Sequence, residues 1–66
     1  MEIKNILKDY RKEKDLTQAE LAKELDVSRQ TVNAIESGKY NPSLELALKI
    51  SRFFNTQIEE IFELEE

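Results

Sequence analysis

Two helix-start signals stand close together in the middle of this chain, and they constrain its fold more than any other feature. Thr17 and Glu20 form a T-x-x-E capping box, in which each side chain satisfies a free backbone N–H of the first helical turn. Leu16 and Leu21 hold the hydrophobic-staple positions across the same start. Ser28 is the N-cap of a following helix, with Val27 and Val32 as its staple. Gly38 then ends that helix as a C′ residue in the left-handed conformation. The stretch Leu16–Gly38 therefore reads as two short helices joined by a tight turn at Asp26. Leu21, Ala22 and Leu25 form the buried stripe of the first, and the small Ala22 lets another helix approach closely. Val32 and Ile35 point inward from the second. At about 100° per residue, the face opposite them holds Gln30, Asn33, Ala34 and Ser37, with Arg29 on its flank.

The flanking segments supply the rest of a helical domain. Ile3, Ile6, Leu7 and Tyr10 recur at spacings of three and four, predicting a first helix over about residues 4–14. After the loop Lys39–Pro42, Ser43 caps a helix running to about Phe54, apolar over much of its circumference: Leu44, Leu46, Ala47, Leu48, Ile50, Phe53 and Phe54. Such a helix is central to the core or shared with a partner. Asn55 suits a left-handed stop. Thr56 and Glu59 repeat the T-x-x-E pattern and predict a short fifth helix carrying Ile58, Ile61 and Phe62. Beyond it, Phe62 and Leu64 alternate with Glu63 and Glu65, as Met1 and Ile3 alternate around Glu2, so the two ends can pair as a small antiparallel ribbon. The expected fold is all-α, a five-helix bundle in one domain over residues 1–66, extended by that ribbon.

Sixty-six residues build only a modest core, and the chain has no cysteine or histidine to staple it with a disulfide or a metal. Pairing with a second chain is the natural supplement. The absence of cysteine fits a reducing cytoplasm, and no apolar run reaches the roughly 20 residues of a membrane span. The net charge of −4 argues at first against a nucleic-acid partner. Its location reverses that: residues 59–66 hold five glutamates and no basic residue, whereas residues 1–58 hold ten basic and nine acidic side chains. Charges more than about 8 Å from a binding face are largely screened at physiological salt.

Two helices joined by a short turn, the second polar on its outer face, match a helix-turn-helix. Base edges in the major groove are hydrogen-bond donors and acceptors, and Arg29, Gln30 and Asn33 are the types that read them: Arg pairs with guanine O6 and N7, Gln or Asn with adenine N6 and N7. Gln30 and Asn33 taken singly are equally ordinary surface residues; the case rests on these residues sitting together beside two well-formed caps. The free N–H groups at Gln18 suit a phosphate. An enzyme is a poor reading, because there is no His, Cys or Gly-rich phosphate loop and too little chain to wall off a pocket, and no cofactor or small-molecule ligand is expected.

The run LTQAELAKELDVSRQTVNAIESGKYNPSLELALKI resembles the Cro- and lambda-repressor-type, or XRE-type, helix-turn-helix family over about residues 5–62, and the whole chain resembles its small free-standing dimeric repressors. The resemblance implies five helices, with the second and third as the DNA-binding unit. It carries phosphate contact onto Gln18 and groove contact onto Ser28, Arg29, Gln30 and Asn33. Backbone-side contact falls on Thr31 and on Lys39, Tyr40 and Asn41. It also implies an ion pair between Arg11 and Glu36. The departure lies at Asp26, where the family commonly has Gly. A short recognition helix reads few base pairs, so a two-fold dimer on a palindromic operator is expected. Phe53, Ile58, Ile61 and Leu64 are its candidate interface, although burial within the monomer's own core explains each of them as well. With no room for an effector domain, repression by blocking polymerase is the simplest mechanism. The competing expectation is a protein-binding module such as an antitoxin or adaptor.

Overall fold

Hydroxyl side chains set where three of the helices begin. In the computed structural model, which describes residues 2–66, the order is β1 (Glu2–Asn5), α1 (Leu7–Glu13), α2 (Gln18–Leu25), α3 (Arg29–Glu36), α4 (Leu44–Phe54), a 3₁₀ turn (Ile58–Glu60) and β2 (Phe62–Glu65). Thr17 Oγ1 accepts the Glu20 N–H at 3.0 Å, and Glu20 Oε1 accepts the Thr17 N–H at 2.8 Å, completing the capping box of α2. Ser28 Oγ accepts the Thr31 N–H at 3.1 Å, and Ser43 Oγ the Leu46 N–H at 3.2 Å.

The helices also share one way of ending. Asp15, Asp26, Gly38 and Asn55 follow α1 to α4 with φ of 57°, 60°, 81° and 53°. Behind each of them the next N–H folds back five residues: Leu16 to the Arg11 carbonyl at 3.2 Å, Val27 to Ala22 at 2.9 Å, Lys39 to Ala34 at 2.9 Å and Thr56 to Ser51 at 3.1 Å. These are Schellman ends, which satisfy carbonyls that a helix terminus would otherwise leave free. One of the four left-handed positions is glycine; the others are Asp or Asn, the residues best able to take that conformation after it.

Leu7, Leu21, Ala22, Leu25, Val32, Ile35, Leu46, Ile50, Phe54 and Ile61 form one core. Tyr10 and Phe53 each meet the Phe54 ring edge-on, with centroids 5.7 and 4.9 Å away. Along α4 the buried positions are Leu46, Ile50 and Phe54, one per turn. Leu44 and Leu48 instead stand 78% and 56% exposed.

Three expectations need correction. The first helix begins at Leu7 rather than near residue 4, because residues 2–5 are a strand and Asn5 Oδ1 accepts the Leu7 N–H at 3.1 Å. The fifth helix is one 3₁₀ turn, so the described residues form four α-helices and a two-stranded sheet. The Thr56–Glu59 box is not its cap: the turn follows Gln57, without a side-chain capping bond.

The ribbon pairs Glu2 with Glu65, Ile3 with Leu64, Lys4 with Glu63 and Asn5 with Phe62. Met1, also expected to alternate here, lies outside the described residues. An isolated two-stranded ribbon is marginal, but this one is rooted in the bundle. The Ile6 N–H donates to the Ile61 carbonyl at 3.0 Å, Phe62 packs on the core, and Asn5 Nδ2 donates to the carbonyl of Ile35 at 2.9 Å. Among the described residues no helix is long and apolar enough to cross a membrane.

Asp26 gives a direct test of the turn. Gly at φ 60° removes the Cβ clash and a carboxylate at a helix C-terminus, but it frees the unfolded chain. Asp26→Gly should therefore be neutral or stabilising by up to about 1 kcal/mol, a rise of several degrees in Tm for a domain this size. Thermal unfolding reads it, and a clear loss of stability would contradict the left-handed turn.

Candidate nucleic-acid interface

The position of α3 is fixed from behind by two buried charges. Arg11 Nε donates to Glu36 Oε2 at 2.6 Å and Arg11 Nη2 to Glu36 Oε1 at 3.1 Å, a bidentate pair across α1 and α3. Their side chains are 9% and 4% exposed. Arg11 Nη1 also donates to the Leu16 carbonyl at 2.7 Å, so the same guanidinium holds the connection into α2. Its hydrogen bond to Glu36 raises the Arg11 pKa against the effect of desolvation. Burial pushes the Glu36 carboxyl up, yet hydrogen bonds from Arg11 and Gln18, with the charges of Arg11 and Lys8, outweigh it and hold the carboxyl below its ordinary value.

Gln18, the first residue of α2, reaches across to α3. Its Nε2 donates to Glu36 Oε1 at 3.0 Å and to Asn33 Oδ1 at 3.3 Å. Both side-chain N–H groups of Gln18 are thereby engaged within the protein, which the sequence reading of Gln18 as a phosphate contact did not foresee. No spacing rule links positions 18 and 33; the contact exists because α2 and α3 pack face to face.

Along α3 the polar residues divide by exposure. Ser28 and Thr31 are tied to each other, with 2.9 Å between their hydroxyl oxygens and the Thr31 N–H on Ser28 Oγ. Arg29, Gln30 and Asn33 are exposed on the side away from Val32 and Ile35. Ala34 is half-buried beside them, and Ser37 Oγ donates to its carbonyl at 3.1 Å. Lys39, Tyr40 and Asn41 are exposed in the loop that follows. Together these groups give a short helix end rich in donors and acceptors, with the exposed ring of Tyr40 in the loop beside it.

The four apolar residues expected to meet a second copy are not equivalent. Leu64 is 57% exposed on the ribbon, and Ile58 is half-buried. Phe53 is half-buried, with Lys14 Nζ 5.6 Å from its ring centre. Ile61 is 2% exposed and belongs to the core, so it has almost no surface left to offer a partner.

The helix-turn-helix family model matches residues 7–61. A helix-turn-helix-type transcriptional regulator of Methanocaldococcus jannaschii is 62% identical over 60 residues, covering 91% of each chain. The transcriptional activator BcrR of Enterococcus faecalis is 42% identical over 66 residues, all of this chain but 32% of that protein. Among solved structures, a chain of the SinR protein/SinI protein complex superposes with a TM-score of 0.73 and 31% identity, over 82% of this chain and 53% of that one. The chain belongs to the XRE-type helix-turn-helix family of DNA-binding transcriptional regulators.

The ion pair makes a stability prediction. Glu36→Leu alone leaves Arg11 buried without its counter-charge and should cost on the order of 3–5 kcal/mol, whereas adding Arg11→Met should recover most of the loss. Urea unfolding measures both; equal losses in the single and double variants would mean the charges are not coupled. Because the folded Glu36 carboxyl lies below its ordinary value, its stabilisation is complete above the usual carboxylate range and disappears as pH falls through that lowered value. Glu36→Gln should accordingly show a flatter acid limb in stability against pH than the unaltered chain.

Proposed function

We propose that the chain is a sequence-specific regulator that works in the cytoplasm as a homodimeric repressor, placing α3 of each copy in the major groove of a palindromic operator. The observation that carries this reading is the division of labour along α3. The capping hydroxyls of Ser28 and Thr31 are bonded to each other, and the side chains suited to base edges, Arg29, Gln30 and Asn33, stand exposed together. In this reading Arg29 contacts guanine, Gln30 and Asn33 contact purine edges, and Lys39, Tyr40 and Asn41 meet the flanking backbone. Ser28 acts first as a cap, with any groove contact secondary, and Thr31 lies at the backbone side. Phosphate at the start of α2 is met by main-chain N–H groups of the first turn.

One α3 spans too few base pairs for useful specificity, and two copies about 34 Å apart supply the rest. Leu64, Ile58 and Phe53 are the proposed contact surface, and the exposed Leu44 and Leu48 on α4 extend the choice of apolar surface. Occupying an operator is sufficient to block polymerase. A protein-binding role is the second reading, favoured by the SinR neighbour, whose structure is a complex with the SinI protein.

Selection of bound DNA from a random pool should return a palindrome with half-sites roughly one helical turn apart. Affinity should fall steeply with salt, and a flat response would favour the protein-binding reading. Gln30→Ala and Asn33→Ala should each relax preference at particular bases by roughly 1–3 kcal/mol. In a reporter carrying the selected site, expression of the protein should lower output; a rise would make it an activator while leaving the DNA reading intact.

Leu64→Glu and Leu48→Glu separate the candidate dimer surfaces. Whichever residue lies at the contact should shift sedimentation towards monomer at micromolar concentration. An unaltered chain that sediments only as monomer would overturn the dimer and the palindrome together.

A further inference from the structure

The register of the ribbon sets Ile3 opposite Leu64 and Asn5 opposite Phe62. Alternate residues of a strand share a face, and so do residues directly opposite, so Asn5 stands among three apolar side chains on the face that Phe62 packs against the core. A half-buried amide there must be bonded at both ends, or its desolvation goes uncompensated. Both ends are bonded, and to partners of fixed polarity. The Leu7 N–H can only donate, so the atom it meets at 3.1 Å is Oδ1. The Ile35 carbonyl can only accept, so the atom it meets at 2.9 Å is Nδ2.

That carbonyl is one of the last four of α3, which have no partner within the helix. The Ser37 N–H bonds Asn33 at 3.0 Å, the Lys39 N–H bonds Ala34 at 2.9 Å, and the Gly38 N–H bonds Ile35 at 3.0 Å. These three bonds come from the exit of the helix and move with it. Asn5 adds another from 30 residues away, and it is itself held in the ribbon and at the start of α1. Residues 37–43, which leave from that point, are neither helix nor strand, and they carry Lys39, Tyr40 and Asn41. An open hollow of about 380 Å³ separates the ribbon from this loop, lined by Glu2, Ile3 and Leu64 on one side and Gly38 and Asn41 on the other. Across that space the two do not pack closely, whereas Asn5 bonds the exit of α3 directly.

We infer that Asn5 is a positioning residue for the loop after α3: by holding the Ile35 carbonyl it fixes the left-handed exit at Gly38, and with it the place where Lys39, Tyr40 and Asn41 meet the DNA backbone. This rests on the reading that α3 enters the major groove with that loop beside a strand. A phosphate contact needs its donor within hydrogen-bond reach, and a loop without helix or strand bonds of its own takes its placement from its two ends. The body of α3 does not depend on Asn5 in the same way. Val32 and Ile35 are buried, and Glu36 is held by Arg11, so the base-reading side chains keep their place when the Asn5 bond is lost. The pairing of the chain ends therefore acts on the flanking backbone contacts and leaves base selection alone.

Asn5→Ser keeps an oxygen to cap α1 and removes the donor aimed at Ile35; Asn5→Asp keeps the acceptor and sets a carboxylate oxygen against the carbonyl. Thermal unfolding verifies that each is folded, and either variant alone is a sufficient test. The site selected by the unaltered chain is prepared with a neutral methylphosphonate at one flanking phosphate at a time. The phosphate whose neutralisation weakens the unaltered chain but not Lys39→Ala is the one the loop meets. That penalty should be on the order of ten-fold for the unaltered chain and about two-fold for Asn5→Ser. The slope of log affinity against log salt should be shallower by about one in the variant, as for a lost phosphate contact. Base preference at the pairs read by Gln30 and Asn33 should be unchanged. A full methylphosphonate penalty in the folded Asn5 variants would overturn the inference and leave Asn5 a cap of α1 alone. Relaxed base preference with the penalty intact would overturn it too, since the bond would then hold the whole of α3. An unaltered chain indifferent to every flanking phosphate brings down the DNA-backbone reading itself, whatever the variants do.

Discussion

The Arg11–Glu36 pair is the constraint on which the rest of this small domain depends. Two opposite charges enclosed to this degree gain little net stability over well-packed apolar residues, because desolvation offsets most of their attraction. What they impose is geometry. A bidentate guanidinium–carboxylate contact has few acceptable arrangements, and this one joins α1 to the last turn of α3, while a further N–H of Arg11 holds the Leu16 carbonyl at the entry to α2. Three elements are thus referred to one planar group. Apolar contacts among Leu7, Leu21, Val32 and Ile35 supply cohesion but tolerate small slides and rotations; the ion pair does not. For a helix whose exposed face must meet base edges within hydrogen-bond distance, that difference matters.

Local chemistry accounts for the helices having ends at all. The first three α-helices contain seven or eight residues, shorter than the roughly 12–15 at which isolated helices become even marginally stable. Their limits are set by side-chain caps at Thr17 and Ser28 and by left-handed stops at Asp15, Asp26 and Gly38. Each cap satisfies N–H groups of the first turn that have no partner within the helix, and each stop redirects the chain within two residues. The tight turn between α2 and α3 follows from this pairing: Asp26 ends one helix, and Ser28 begins the next. With both residues committed, the connection between the helices has little conformational freedom left.

That local character explains which features were legible in the sequence. The Thr17 box, the Ser28 and Ser43 caps, the Gly38 and Asn55 stops and the inward stripes of α2 and α3 each depend on residues within a few positions of one another. Where the outcome depended on a distant partner, the sequence was silent or misleading. Ile3 and Ile6 fit a helical period, yet the pairing of Ile3 with Leu64 and the hold of Asn5 on Ile35 and Leu7 convert that segment to strand. Ile61 fits a dimer surface and the monomer core equally well by its spacing, and the closing of the chain ends buries it in the core. Periodicity does not distinguish Arg11 from Lys8 or Lys12, and its ion pair with Glu36 is implied only by the family resemblance. The engagement of Gln18 with Asn33 and Glu36 had no local signal of any kind.

Separating the residues that fold α3 from those that face outward has a consequence for how such a surface changes. Val32 and Ile35 bind α3 to the core, Ser28 and Thr31 close its first turn, and Glu36 anchors its end, so five of the nine residues from 28 to 36 are committed to structure. Arg29 and Gln30 are exposed, and surface substitutions typically shift stability by less than about 0.5 kcal/mol. The groove-facing chemistry can therefore vary at those positions with little effect on folding. Asn33 is the exception because it touches Gln18. Altering it disturbs a contact that continues to the buried carboxylate, and a substitution there changes the reading face and the support behind it together.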